Sequence, residues 1–72
     1  MNAKLLRSKM VLFGDTNATL AEVLNISAQR FSAKLNETNG AEFNKSEIGK
    51  IKVRYDLTPE EVDAIFFCLK VS

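Results

Sequence analysis

The 72 residues, of which 46% are hydrophobic and 26% charged, are predicted to form one small globular domain, residues 1–72. One cysteine and no histidine exclude a zinc finger with Cys and His ligands, a Ser-His-Asp triad and a histidine general base. We therefore expect a binding module rather than an enzyme, with no catalytic residue, metal, cofactor or small-molecule substrate. The chain also shows no apolar run of about 18 residues and no signal-peptide pattern, so we expect a cytoplasmic protein without membrane contact.

The net charge of +1 divides unevenly along the chain. Residues 1–54 carry nine Lys/Arg against five Asp/Glu, whereas residues 55–72 carry one Lys against four Asp/Glu. A basic body with an acidic end favours an anionic partner on one face and a different contact at the other end. The alternative is an ordinary solvated surface.

Apolar residues recur at helical spacing and predict an all-α chain of five helices. The first helix is predicted from about Ala3 to Phe13, with Leu6, Met10 and Phe13 inward and Gly14 ending it, and the second from Asn17 to Leu24, capped by Asp15 or Thr16. The third runs from the cap Ser27 to about Asn36, and a loop from Glu37 to Phe43 follows it. The fourth is capped by Asn44 with Ile48, Ile51 and Tyr55 inward, and the fifth has Val62, Ile65, Phe66 and Leu69 inward. The fifth helix has the clearest start, because Thr58-Pro59-Glu60-Glu61 combines a capping box with proline at the first helical position.

The segment from Asn17 to Asn36 has the layout of a helix-turn-helix. Ala21 provides the small side chain that a close helix crossing needs, and Asn25 tolerates the positive φ that a tight turn requires. Ile26 is expected to plug the turn from below. The apolar residues that would hold the two helices together are Leu20, Leu24, Phe31 and Leu35.

These residues make the chain similar to the lambda-repressor and Cro-like (XRE) helix-turn-helix family. The resemblance covers most of the chain and lies in Leu-Ala-Glu-Val-Leu-Asn-Ile-Ser at 20–27, Phe-Ser-Ala-Lys-Leu-Asn at 31–36, Glu-Ile at 47–48 and Leu-Thr-Pro-Glu-Glu at 57–61. The "Lys-Leu-Asn" ending and the later "Ile-Phe-Phe" look most like small regulators of temperate-phage lysogeny switches. The resemblance implies a five-helix lambda-repressor-like DNA-binding domain whose third helix enters the major groove.

Carried over residue by residue, the resemblance implies two sets of DNA contacts. The residues that would face bases, or a protein partner, are Ala28, Gln29, Ser32 and Ala33, of which Gln29 alone is a good hydrogen-bonding reader and suits adenine. The residues that would face phosphates are Thr16, Asn17, Ser27, Arg30, Lys34, Asn36 and Lys45. Apart from the resemblance, Gln29, Ser32 and Lys34 are equally consistent with the solvent face of an amphipathic helix.

The chain departs from the family pattern in four places. Asn17 and Asn25 stand where glutamine and glycine are common, and residues 37–42 contain two acids and no cation. Fewer phosphate contacts predict weak DNA affinity. Met10 and Leu35 occupy positions where some members have an Arg–Glu ion pair, so an apolar contact is expected there.

The fifth helix carries a second apolar arc, which consists of Ala64, Phe67, Cys68 and Val71. A second apolar arc predicts an interface, with another copy in a homodimer or with a different partner. The alternative is that Phe67 folds back onto the core. Cys68 is expected to be a small apolar residue rather than a reactive thiol.

Two functions follow from the resemblance. The first is a phage-type transcriptional regulator that binds double-stranded operator DNA through residues 28–36 in the nucleoid of a bacterial host, as a dimer on two half-sites. The second is an anti-repressor, or modulator, that keeps the fold and binds the DNA-binding domain of a partner phage repressor.

Overall fold

The computed structural model describes residues 1–67, and these residues form helices and connecting turns without a strand. The helices are α1 (Ala3–Leu12), α2 (Asn17–Leu24), α3 (Ala28–Leu35), α4 (Lys45–Tyr55) and α5 (Pro59–Val62), and α5 continues as a π-helical turn over Asp63–Phe67. A short 3-10 turn, Thr38–Gly40, lies in the loop between α3 and α4. The predicted all-α class and the number and order of helices are confirmed.

Each helix starts at a residue whose side-chain oxygen accepts the backbone N–H three positions later. These N-caps are Asn2, Thr16, Ser27, Asn44 and Thr58. Thr58 and Glu61 form the predicted capping box, and Asn44 forms a second one with Glu47 that the sequence analysis did not identify. The helix starts are therefore encoded locally.

The core collects apolar residues from every helix. Its buried members are Leu6, Met10, Leu20, Ala21, Leu24, Phe31, Leu35, Phe43, Ile51, Tyr55, Leu57 and Ile65. Ile26, Ile48, Val62 and Phe66 are partly buried against them. Met10 and Leu35 are both buried in this core, as an apolar contact between them requires. The predicted inward residue Leu69 lies outside the residues that the structure describes.

Phe13 was expected in the core but is 54% exposed. The reason is that α1 ends at Leu12, so Phe13 is the cap residue after the helix rather than the next position on its apolar stripe. Its ring instead packs at a tilt on Tyr55, with 4.9 Å between the ring centroids. Phe13 thus covers one edge of the core from outside.

Candidate interaction surface on the third helix

The turn between α2 and α3 has the geometry that Asn25 predicts. Asn25 adopts φ 59° and ψ 42°, in the left-handed region where asparagine is the least costly choice after glycine. The Asn25 N–H donates to the Glu22 carbonyl and the Ile26 N–H donates to the Ala21 carbonyl, each at 3.0 Å. This pair of bonds ends α2 abruptly, and Ser27 then opens α3 by accepting the Arg30 N–H at 3.1 Å. Only three residues, Asn25, Ile26 and Ser27, therefore separate α2 from α3.

The first turn of α3 is its exposed part. Ala28, Gln29 and Arg30 are all exposed, while Phe31 on the opposite side is fully buried. Ser32 and Ala33, which were grouped with Ala28 and Gln29, are half-buried. The fully exposed part of α3 is therefore its N-terminal end, and it contains two of the four residues predicted to face bases or a partner.

Most of the predicted phosphate-binding residues are at the surface. Thr16, Asn17, Ser27, Arg30, Asn36 and Lys45 are exposed. The hydroxyls of Thr16 and Ser27 accept N–H groups within their own helices, so they fix helix ends first. Asn17 and Ala28 are the first residues of α2 and α3, where backbone N–H groups have no partner inside the helix.

Lys34 is the exception, and its expected exposure is corrected. The side chain is buried, and its ammonium donates to both carboxylate oxygens of Glu47 at 2.7 Å. Lys34 stands three residues after Phe31, so it shares the inward side of α3 and meets α4 there. An ammonium that is buried in this way does not reach a phosphate outside, and we remove Lys34 from the phosphate set.

The Glu47 carboxylate accepts three hydrogen bonds. Besides the Lys34 ammonium, its carboxylate accepts the Asn44 N–H at 2.9 Å. Burial raises the pKa of Glu47, but the hydrogen bonds from Lys34 and Asn44, with the positive charges of Lys34 and Arg30, outweigh burial and hold the pKa below its ordinary value. The Glu47 carboxylate is therefore ionised at neutral pH, and its hydrogen bonds with Lys34 tie α3 to α4.

A second polar cluster joins the start of α2 to the end of α4. The Asp15 carboxylate accepts hydrogen bonds from Arg54 Nε at 2.8 Å, Arg54 Nη2 at 2.6 Å and the Tyr55 hydroxyl at 2.6 Å. The Arg54 hydrogen bond lowers the pKa of Asp15. Burial and the neighbouring Asp15 raise the pKa of Tyr55. The sequence analysis missed this cluster, since its members lie about forty positions apart and only the fold brings them together.

Ion pairing changes the charge that α3 presents. Lys9 pairs with Glu61 at 2.6 Å, so Lys9, Lys34 and Arg54 are all neutralised within the chain. Among residues 1–67, the Lys and Arg side chains without an ion pair are Lys4, Arg7, Arg30, Lys45, Lys50 and Lys52. On α3 the only such cation is Arg30.

The structure describes two of the four residues predicted to form a second apolar arc on the fifth helix. Ala64 and Phe67 are exposed, and Phe67 retains 55% of its accessible surface instead of folding back onto the core. Cys68 and Val71 lie outside the residues that the structure describes. Other large apolar side chains are also exposed, namely Leu5, Val11 and Leu12 on α1, Phe13 after it, and Val53 on α4.

Comparison with known proteins adds no relative: no family model, no curated protein and no solved structure matches the chain. Within residues 1–67 no group of three or more His, Cys, Asp or Glu side chains is arranged to hold a metal ion. None of the helices in the same range is long and apolar enough to cross a membrane.

Proposed function

We propose that this chain is a small helix-turn-helix regulator of the lambda-repressor and Cro-like type, which places α3 in the major groove of duplex DNA. The observation that carries the proposal is the exposed first turn of α3, which a three-residue turn joins to α2. The family pattern puts base contacts at this position. By the same resemblance, the regulator acts in the lysogeny switch of a temperate phage, on the nucleoid of its bacterial host.

The contacts in this proposal divide into base and phosphate contacts. Gln29 reads an adenine through its amide, and Ala28 touches a thymine methyl group. The N-termini of α2 and α3 direct backbone N–H groups to phosphates, assisted by Arg30 and Lys45. With Lys34 buried, two cations of the predicted set remain for each chain.

This count predicts a shallow dependence of DNA affinity on salt. Two phosphate-neutralising cations give a slope of about −2 in log K against log salt for one chain, and about twice that for a dimer on two half-sites. The measurement uses fluorescence anisotropy with duplexes selected from a random-sequence library at low salt. Arg30→Ala should reduce the slope by about one for each chain, whereas Gln29→Ala should weaken selected duplexes by about 1–3 kcal/mol and leave the slope unchanged.

Lys52→Ala is the matched control, because Lys52 is an exposed and unpaired cation on α4 and not on α3. The proposal fails if no duplex is enriched at low salt, or if Lys52→Ala changes binding as much as Arg30→Ala does.

A second function is favoured by the charge around α3. Lys34 is neutralised within the chain. In the following loop, Glu37 pairs with the N-terminal ammonium at 2.9 Å, whereas Glu42 is exposed and forms no ion pair within residues 1–67. A surface with one free cation on its helix and the free acid Glu42 beside it is better suited to the basic DNA-binding face of another protein than to phosphates. In this alternative the chain is an anti-repressor that binds a partner phage repressor.

Co-purification with the repressor encoded beside it separates the two functions. A tight complex that excludes operator DNA, together with no duplex affinity at low salt, supports the anti-repressor. Charge reversal at Glu42→Lys should then weaken the complex, because it opposes the partner's basic surface. Duplex affinity that Gln29→Ala selectively reduces supports the DNA-binding regulator.

A further inference from the structure

A shallow groove between α2 and α4 contains no residue of α3 in its lining. Its lining is Val23 from α2 and Ser46, Gly49, Lys50, Val53 and Arg54 from α4. Val53 is 82% exposed, and Lys50 is exposed without an ion pair, while Arg54 is held by Asp15. The groove thus combines an exposed apolar side chain, Val53, with Lys50, a cation without an ion pair among the residues that the structure describes.

Gly49 is the unusual residue of this groove. It lies in the interior of α4, where glycine is a poor helix former compared with alanine. A Cβ built on Gly49 would meet no atom within 4 Å, so packing inside the chain gives no reason for glycine there. A bare backbone position at the floor of an exposed groove allows another chain to approach closely.

The last part of the chain that the structure describes carries exposed acids and an exposed aromatic ring, which complement the cation and the apolar residue of the groove. Glu60, Asp63 and Phe67 are all exposed, and helical spacing puts them on the side of the segment 59–67 opposite Ile65. Part of the Phe67 side chain also lines a cavity with Phe43 and Phe66. Neither Glu60 nor Asp63 forms an ion pair within residues 1–67. We call this set the acidic face.

We propose that the groove between α2 and α4 docks the acidic face of a second copy of this chain, with the exposed part of the Phe67 ring between Val23 and Val53 over Gly49, and Glu60 and Asp63 beside Lys50. Charge complementarity within one sequence supports this occupant, since the unpaired groove cation and the unpaired acids lie on different elements. The outer face of α1 also combines Lys4 and Arg7 with Val11 and Leu12, but all of its residues come from a single helix. The proposal does not depend on DNA binding.

Gly49→Ala gives the sharpest test because two readouts move in opposite directions. Alanine should raise the melting temperature of the monomer, since it improves helix propensity without a clash. The same methyl group should weaken self-association, measured by sedimentation equilibrium of the full chain without DNA. A variant that is more stable and associates as strongly as the wild type overturns the proposal.

Charge reversal tests the pairing itself. Lys50→Glu and Glu60→Lys should each weaken self-association by at least about tenfold, because like charges then face each other. An equimolar mixture of the two variants should form a 1:1 complex, since each variant keeps the face that the other has lost. Lys4→Glu is the control for the charge change and should associate like the wild type.

Two exposed valines provide a matched pair. Val53 and Val11 are 82% and 77% exposed, and each lies near the C-terminal end of its helix. Val53→Glu should abolish self-association and Val11→Glu should not. The proposal is overturned if the wild-type chain is monomeric at about 1 mM, where even contacts of millimolar affinity are half formed, if Val11→Glu is the more damaging change, or if the mixed variants do not associate.

Discussion

The Lys34–Glu47 pair places two opposite charges between α3 and α4, with residue exposures of 9% and 4%. Removing one partner of a buried pair leaves a charge without compensation, which costs more than the pair itself contributes. We expect Lys34→Met to lower the free energy of unfolding by about 3 kcal/mol, measured by urea unfolding followed by circular dichroism.

Two variants test the origin of this loss. Lys52→Met removes an exposed lysine and should change stability by less than about 0.5 kcal/mol. In Lys34→Met, the added change Glu47→Gln should recover much of the loss, since glutamine removes the buried charge and also serves in a capping box. A loss below about 1 kcal/mol in Lys34→Met would show that Glu47 is solvated and that the pair behaves like a surface pair.

At the scale of the helices, three helices end with the same backbone geometry, a residue in the left-handed conformation, and each uses a different residue type there. Gly14, Asn25 and Asp56 all adopt positive φ, and in each case the next N–H donates to a carbonyl five positions earlier. A left-handed conformation costs a residue with an ordinary Cβ about 1–2 kcal/mol, and asparagine reduces this cost through its short polar side chain.

The effect of a substitution at Asn25 on the free energy of unfolding should therefore depend on how well the new residue tolerates positive φ, and not on the size of its side chain. Asn25→Ala should lower the free energy of unfolding by about 1 kcal/mol, whereas Asn25→Gly should leave it nearly unchanged. Chemical denaturation of both variants checks this. Equal losses in the two variants would mean that the asparagine side chain, and not the backbone angle, stabilises the turn.

The helices were predictable from sequence because their signals are local. Apolar spacing, N-cap residues and the Thr58-Pro59 start lie within one turn of the residues that they control, and the predicted helices are present. The Asn44–Glu47 capping box was visible at the same three-residue spacing, and it was missed because Glu47 was not read together with its cap. Its partner Lys34, in contrast, borders the apolar side of α3, and only the position of α4 decides whether it faces a carboxylate or solvent.

For the candidate surface, the sequence predicted the turn and the exposed end of α3 but not the charge that this end retains. The Asp15–Arg54 and Lys34–Glu47 pairs join residues 39 and 13 positions apart. Such pairs depend on tertiary packing, so a count of lysines and arginines along the chain overestimates the free cations. The exposure of Phe13 also could not be predicted from local spacing. The helix α1 ends one residue earlier, at Leu12, so the Phe13 side chain no longer follows the apolar stripe of the helix.

On the scale of the whole molecule, ionised carboxylates connect segments that are distant in sequence. Asp15 binds the end of α4, Glu47 binds α3, and Glu61 binds Lys9 on α1. Hydrogen bonding lowers the pKa of Glu61, chiefly from Lys9, and the pKa values of Asp15 and Glu47 are lowered as described above. In all three, folding favours the charged form.

This shared direction predicts acid unfolding of the whole domain. A carboxyl group whose pKa is lower in the folded state contributes stability that is present above its unfolded pKa and is lost as the pH falls through the folded value. The free energy of unfolding should therefore be flat between about pH 8 and pH 6 and should fall below about pH 5, measured by urea unfolding at each pH. Asp15→Asn should be less stable than the wild type at neutral pH, and the two curves should converge in acid, because protonation removes the same charge. Parallel curves down to pH 2 would instead assign the effect of Asp15→Asn to packing and not to the ionised carboxylate.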